Sequence, residues 1–142
     1  MKRVDVYTEA RKWIGTPYLH QGRTKHGIDC VGLIQKVGDA LGVPYVDRND
    51  YGRSPDAHKL MAHLYKYLQQ AKIDGDKPGL VGVFRETIRP CHTGIFGLDA
   101  YGNITVIHAR ADIRKVVEEV FINGHNKLNL VNVLAMPGLE DL

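Results

Sequence analysis

Hydrophobic residues recur at helical spacing in the first half of the chain, and the most regular of these stretches begins at a cysteine. The positions that share one helix face are Cys30, Leu33, Ile34, Val37 and Leu41. Asp29 precedes them at the N-cap position, where a carboxylate accepts hydrogen bonds from first-turn amides. Gly42 and Pro44 follow as stop signals. The pattern therefore predicts a buried helix with Cys30 in its first turn.

Two further helices are predicted on the same grounds. Residues 3–14 have helical periodicity, which Gly15-Thr16-Pro17 interrupts. Ser54-Pro55 is a helix-start signature, and an apolar stripe follows it across residues 57–68. Residues 18–28 are polar and punctuated by glycine. We predict that this last segment is a loop that lines a cleft at the start of the cysteine helix.

The second half of the chain changes to the short, β-branched runs that are typical of strands. The predicted strands are residues 80–84, 91–96, 104–109, 116–121 and 130–135. Short turns separate neighbouring runs, which favours an antiparallel meander. Because helices come first and strands afterwards, the order predicts an α+β fold. We expect one domain over residues 1–142, with the cysteine helix packed on one face of an antiparallel sheet of about five strands.

Composition and charge exclude several classes of protein. The chain has 19 basic and 16 acidic residues, and this net charge of +3 is far from the basic stripe of a nucleic-acid-binding protein. Two cysteines do not form a disulfide framework. No apolar run is long enough to span a membrane, and the N-terminal residues do not form a secretory signal. We therefore expect synthesis and folding in the cytoplasm, with some other route outward if the substrate lies outside.

Cys30 and two histidines on predicted strands suggest a thiol-protease centre. If the strands around residues 91–96 and 104–109 pair, His92 and His108 approach one another on one face. His92 would then take and return the proton of the thiol, and His108 would orient His92. Amides of the helix start, with the Tyr18 hydroxyl, could stabilise an oxyanion. The helix dipole lowers a thiol pKa, whereas the carboxylate of Asp29 raises it.

Other roles for the same residues stay open at this point. Cys30 could be one more small core residue, since buried cysteines are common. His20 and His26 lie close to Cys30 in sequence and are rival partners for its thiol. Surface histidines on polar loops are frequent, which favours His92 over both of them.

A metal site and a disulfide are both disfavoured. A zinc site would combine Cys30, Cys91, His92 and His108, but the chain has no C-x-x-C pair. Successive residues of a strand point to opposite faces, so Cys91 and His92 cannot both face Cys30. We expect neither a metal nor another cofactor.

Four motifs in order resemble those of the NlpC-type cell-wall peptidase family: Gly15-Thr16-Pro17-Tyr18, Asp29-Cys30-Val31-Gly32-Leu33, His92-Thr93-Gly94-Ile95-Phe96 and Ile107-His108-Ala109. The resemblance implies a compact papain-like fold and hydrolysis of peptide bonds in peptidoglycan stem peptides. It makes Cys30 the nucleophile, His92 the general base and acid, and His108 the third member. It also implies that Tyr18 lines the site near the oxyanion and that Asp29 holds the free amine of a stem peptide.

The chain departs from the family pattern at Val31, where a serine is usual. This leaves the usual γ-glutamyl–diaminopimelate specificity open. The missing signal resembles family members of phage tails and gene-transfer particles, which implies particle proteins as partners. Two alternatives remain: an amidase or acyltransferase that uses the same trio, and a non-catalytic structural or adaptor protein of such a particle.

Overall fold

The computed structural model describes residues 1–44, 57–71, 77–85 and 90–142. The side chains of residues 57–61, 90, 91 and 127 are not described. The Ser54-Pro55 helix start predicted above lies outside the described residues. The orientation of the Cys91 side chain is likewise outside what the structure describes.

Three helices lie where the periodicity predicts them: α1 is Arg3–Arg11, α2 is Cys30–Ala40 and α3 is Ala57–Tyr67. The first helix ends earlier than predicted, because the chain tightens into turns after Arg11. The Trp13 amide donates to the carbonyl of Ala10 (3.0 Å), and the Thr16 amide donates to that of Trp13 (3.0 Å). Gly15 has φ of +88° in this turn, a conformation that glycine adopts without strain. No helix within the described residues is long and apolar enough to cross a membrane.

Within the described residues, the strands form two sheets. Their bounds are β1 Arg23–Thr24, β2 Gly27–Ile28, β3 Gln69–Gln70, β4 Val81–Arg85, β5 Pro90–Leu98, β6 Ile104–Arg110, β7 Lys115–Val120 and β8 Asn129–Ala135. The pair β1–β2 is a small antiparallel hairpin inside the segment that was predicted to be a loop. The other six strands form one sheet in the order β3-β8-β4-β5-β6-β7.

The predicted meander is only partly right. Strands β4 to β7 do follow one another as antiparallel neighbours, but β8 pairs with β4 and not with β7. Its last three residues, from Val133 to Ala135, are all buried, so both of its faces are covered there. A strand with both faces buried is more stable in a central position, here between β3 and β4, than at the edge of the sheet. The segment after β7, with a short 3-10 turn at His125–Lys127, provides the crossing.

The main sheet has apolar clusters on both faces. One face packs against α1 and α2, and its strand residues include Val81, Val83, Ile95, Ile107 and Val116. The helix residues that meet them include Val6, Leu33, Ile34 and Val37. The opposite face carries Phe84, Phe96, Val106 and Val133, covered by Leu128 and Phe121 from the crossing segment. We refer below to the helix face and the second face of the sheet.

Candidate active site

Asp29 fixes the start of α2. Its Oδ1 atom accepts a hydrogen bond from the Gly32 amide (2.8 Å), which is the predicted N-cap. The same oxygen accepts from Nη1 of Arg23 (3.0 Å), and Oδ2 accepts from the Gln21 amide (2.8 Å). The Asp29 side chain is 3% exposed and that of Arg23 is 14% exposed. The carboxylate thus joins the β1–β2 hairpin to the helix, which is a structural task besides the substrate role implied by resemblance.

Cys30 is half-buried at the start of α2, against β5. The ladder between β5 and β6 ends at the pair of Ile95 and Ile107, before it reaches His92 and His108. The Thr93 hydroxyl donates to the Cys30 carbonyl (3.2 Å), so the start of α2 lies directly against β5. The amide of Thr93 is also close enough to the sulfur to stabilise a thiolate. The thiol therefore lies against β5, next to the residue that follows His92 on that strand.

Of the two opposing effects on the Cys30 thiol, the helix dipole and the Asp29 carboxylate, the one that raises its pKa prevails, and burial adds to it. Burial raises the pKa of the Cys30 thiol to about 12, and the neighbouring Asp29 carboxylate raises it further. Hydrogen bonds to the sulfur from Thr93 and from the Val31 amide act in the opposite direction but are outweighed. The helix start alone is too weak to offset burial beside a carboxylate. Cys30 is therefore a neutral thiol until a base takes its proton.

His92 and His108 meet as predicted. Nε2 of His92 lies 2.8 Å from Nδ1 of His108, and the two rings are in an edge-to-face arrangement. Gly94, between them on β5, makes this close approach possible, because a Cβ there would lie 3.1 Å from the Cβ of His108. Both rings lie on the second face, since His92 also contacts the ring of Phe84.

Thr93 shows how the thiol and the imidazoles come from different sides of the sheet. Its side chain points toward Cys30, so the side chain of His92, the preceding residue on the strand, points to the second face. Within the described residues no hydrogen bond joins the Cys30 sulfur to His92. Catalytic hydrogen bonds are often long before substrate binds and shorten in the complex with substrate.

The histidine pair continues into a charged group on the neighbouring strand. Nε2 of His108 lies 2.8 Å from Oε1 of Glu119. The other carboxylate oxygen of Glu119 accepts from Nη1 of Arg110 (3.1 Å). Arg110 in turn forms two hydrogen bonds with Asp112, at 3.0 and 2.6 Å. His92 is thus connected to a hydrogen-bonded group of four side chains on β6, β7 and the turn between them: His108, Glu119, Arg110 and Asp112.

Both imidazoles are neutral at physiological pH. Burial lowers the pKa of His92 to about 3, and the neighbouring His108 lowers it further. Burial likewise lowers the pKa of His108 to about 4, assisted by the positive charge of Arg110. A neutral imidazole can act as a general base toward a neutral thiol, whereas an imidazolium could not.

The remaining predicted residues differ in their placement. Tyr18 is half-buried, bridges to Ile28 two residues before Cys30, and donates its amide to the Arg114 carbonyl (2.8 Å). It is therefore anchored beside the helix start. His26 is exposed at the tip of the β1–β2 hairpin, and His20 is half-buried in the turn before it. Neither has a described contact with Cys30.

The group holds the parts that nucleophilic acyl transfer needs: a thiol, a neutral imidazole supported by a second imidazole, and the amides of a helix start. No set of three or more His, Cys, Asp or Glu side chains in the described parts of the chain is placed to hold a metal ion.

Three contributors were missed by sequence reasoning: Thr93, Arg110 and Glu119. Thr93 lies inside a motif, but nothing in the sequence shows that its hydroxyl reaches the Cys30 carbonyl. Glu119 lies on a predicted strand, and its position on the same face as His108 depends on the register of β6 with β7. That register could have been guessed from the tight turn between these strands, which is the one available signal.

Comparisons with known proteins agree with this architecture. No family model matches the sequence, and no curated protein matches it. Solved structures do match. The NlpC/p60 domain of the peptidoglycan hydrolase SagA has a TM-score of 0.63 at 19% identity, over 96% of this chain and 100% of that one. An N-acetylmuramoyl-L-alanine amidase from Bacteroides uniformis ATCC 8492 has a TM-score of 0.62 at 14% identity, over 94% of this chain and 98% of that one.

A lipoprotein-like protein of the NLP/P60 family from Staphylococcus aureus subsp. aureus Mu50 is a longer relative in structure. Its TM-score is 0.66 at 19% identity, over 94% of this chain and 41% of that one. This chain therefore spans about two fifths of that protein. At these identities the likeness establishes the fold. The chain has the papain-like α+β fold of NlpC/P60 domains, with N-terminal helices packed on a mostly antiparallel sheet.

Proposed function

We propose that the chain is a cysteine peptidase that hydrolyses peptide bonds in the stem peptides of bacterial peptidoglycan. The observation that carries this proposal is the His92–His108 pair, joined at 2.8 Å, on a strand whose Thr93, the residue after His92, hydrogen-bonds to a cysteine at a helix start. Its occurrence in a fold shared with a peptidoglycan hydrolase supplies the substrate class. Cys30 is the nucleophile, His92 the general base and acid, and His108 the residue that orients His92.

The reaction proceeds in two halves. Nδ1 of His92 takes the proton of the Cys30 thiol while the sulfur attacks the carbonyl carbon, and the resulting imidazolium gives that proton to the leaving amine. The acyl group is then held as a thioester. A water molecule, deprotonated by His92, attacks the thioester, and the proton returns to the sulfur as the acid product leaves. No other reactant is needed.

The oxyanion of each tetrahedral intermediate requires hydrogen-bond donors. The Gly32 amide is occupied by the Asp29 side chain, and the Leu33 amide by the Asp29 carbonyl (3.0 Å). The amides of Cys30 and Val31 are the remaining first-turn donors, since the amides before that of Leu33 have no carbonyl partner within the helix. We assign the oxyanion to the Cys30 amide, with the Tyr18 hydroxyl as second donor.

The test is cleavage of purified peptidoglycan fragments by the full chain. We expect Cys30→Ala to abolish hydrolysis and His92→Ala to reduce it by on the order of 10²-fold or more. Cys91→Ala is the matched control, since it removes the other thiol, and it should retain activity. All variants should keep the wild-type circular dichroism spectrum. Activity retained in Cys30→Ala would disprove the proposed nucleophile.

A second candidate function uses the same site on a different bond. One structure with this fold is described as an N-acetylmuramoyl-L-alanine amidase, so the muramoyl–alanine amide is the alternative target. Mass spectrometry of the digest separates the two activities. An amidase releases the whole stem peptide from the glycan, whereas a peptidase leaves a truncated stem attached to it. If water is replaced by an added amine and a new amide forms, the enzyme is an acyltransferase.

Delivery by a phage-tail-like particle, and a purely structural role there, remain predictions from resemblance. The raised thiol pKa fits a structural cysteine as well as a general-base mechanism. Proteomics of purified particles tests the association. Absence of hydrolysis on every wall preparation, together with tight association with particle proteins, would favour the structural role.

A further inference from the structure

A line of hydrogen bonds leads away from His92 on the side opposite to Cys30. It runs from Nε2 of His92 to Nδ1 of His108, and from Nε2 of His108 to Glu119, each over 2.8 Å. It ends at Arg110, whose guanidinium holds the other oxygen of Glu119 at 3.1 Å. His108 is 1% exposed, so it exchanges no hydrogen bonds with bulk water and its proton positions depend on these neighbours.

The chemistry of each partner decides where the protons lie. A carboxylate facing a guanidinium only accepts hydrogen bonds, so the Nε2 atom of His108 must carry a proton. A neutral imidazole has a single N–H, which leaves Nδ1 of His108 as an acceptor. Nε2 of His92 must therefore donate to it. The unprotonated nitrogen of His92 is then Nδ1, the atom that can take a proton from the thiol.

We propose that Glu119 is a positioning residue, held by Arg110, that sets the tautomer of His108 and through it that of His92. The proposal rests on the proposed function, because the tautomer matters only if His92 is the base. Glu119 then affects the reaction only through His108 and His92 and does not contact the substrate itself. The group as a whole is then Cys30-His92-His108-Glu119, with the acidic residue last.

Glu118, the neighbour of Glu119 on β7, shows what an ordinary ion pair on this strand looks like. Its carboxylate accepts two hydrogen bonds from Arg11, both at 2.9 Å, and one from the Thr105 hydroxyl at 2.6 Å. Those contacts lie on the helix face and join β7 to α1. Glu118 is therefore a matched control, since its loss removes an ion pair of similar kind from the same strand without touching His108.

Glu119→Gln is the informative substitution, because an amide has one oxygen and one NH₂ group. Arg110 can only donate, so it takes the amide oxygen and leaves the NH₂ group facing Nε2 of His108. His108 must then accept at Nε2, carry its proton on Nδ1 and donate to Nε2 of His92. Both imidazoles switch to the Nδ1–H form, and His92 can no longer accept the proton of the thiol.

Removal of the guanidinium should reverse the effect. In the double variant Glu119→Gln, Arg110→Met, nothing holds the amide oxygen, so the amide can rotate and present that oxygen to His108. The Nε2–H form should return in both imidazoles. A residue with a purely structural role would give no such recovery, since the double variant has lost more contacts than the single one.

The experiment reads the tautomers directly by long-range ¹H–¹⁵N correlation spectra of the histidine side chains, without substrate. We expect Nε2–H for His92 and His108 in the wild type and in Glu118→Gln, Nδ1–H in Glu119→Gln, and recovery in the double variant. The proposal is overturned if the wild type shows Nδ1–H for either ring, or if Glu119→Gln keeps the wild-type tautomers.

Kinetics on peptidoglycan fragments provide the second readout. Glu119→Gln should lower kcat by on the order of 10²-fold with little change in KM, and the double variant should regain part of it. An unchanged kcat in Glu119→Gln would also overturn the proposal. A wild type that hydrolyses no wall fragment counts against the proposed function alone, since the tautomers still decide the role of Glu119.

Discussion

Asp29→Asn should have two opposite consequences, because the Asp29 carboxylate stabilises the fold while it keeps the neighbouring thiol protonated. The substitution preserves an oxygen that can cap the Gly32 amide, so the N-cap loss of about 1 kcal/mol is avoided. It removes the charge that faces Arg23 in a pair whose side chains are 3% and 14% exposed. Taking one partner from a buried pair costs about 3–5 kcal/mol.

A second cost comes from the amide group itself. The Gln21 amide donates to Oδ2 of Asp29 at 2.8 Å, and an NH₂ group in that place would face a donor. We expect the free energy of unfolding to fall by about 3–5 kcal/mol in urea titrations, which a domain of ordinary stability survives. Asp39→Asn, on the same helix but 44% exposed and paired with Lys36 at 3.6 Å, should lose less than about 1 kcal/mol.

The thiol should respond in the other direction. The Asp29 carboxylate is one of the two causes that raise the pKa of Cys30, so its removal lowers that pKa. Alkylation of Cys30 by iodoacetamide between pH 7 and 10, followed by mass spectrometry with the Cys91 peptide as internal reference, should be faster in Asp29→Asn. A loss of stability below about 1 kcal/mol, or an unchanged alkylation rate, would refute this account of the helix start.

Two further predictions concern stability. In the folded chain, the pKa values of His92 and His108 are lowered to about 3 and about 4. Below the ordinary histidine pKa of about 6.5, the unfolded chain therefore binds two protons that the folded chain does not bind. The contribution of this pair to the free energy of unfolding should therefore be fully present above pH 6.5. It should fall as the pH drops toward 4, by up to about 2.7 kcal/mol per pH unit for two protons. A free energy of unfolding that stays constant over this range in denaturant titrations would contradict the buried neutral pair. Gly38→Ala should stabilise the protein by up to about 1 kcal/mol, because Gly38 lies inside α2 and an added Cβ would meet Val43 at an ordinary 3.6 Å; a lower thermal midpoint would show that the contact is too tight.

Much of this fold follows from periodicity. The three helices and five of the strands were predicted within a few residues, because apolar positions at spacings of 3.6 and 2 reflect burial on one side of an element. The role of Asp29 as the N-cap of α2 was also predictable from the sequence, since its carboxylate accepts a hydrogen bond from an amide only three residues away. The approach of His92 to His108 needed only that two neighbouring strands pair through a short turn.

What the sequence alone determined is therefore local: helix limits, strand limits, the cap, and the identity of a cysteine with two histidines as the chemical group. The tertiary structure decided the rest. It placed β8 beside β4, which depends on the burial available in the centre of the sheet and not on chain order. It placed the Cys30 sulfur in a buried position beside Asp29, which decides that the pKa of the thiol is raised. It also brought Glu119 to His108. The register between β6 and β7 determines which carboxylate lies opposite the imidazole, and this register cannot be derived from the sequence of either strand alone.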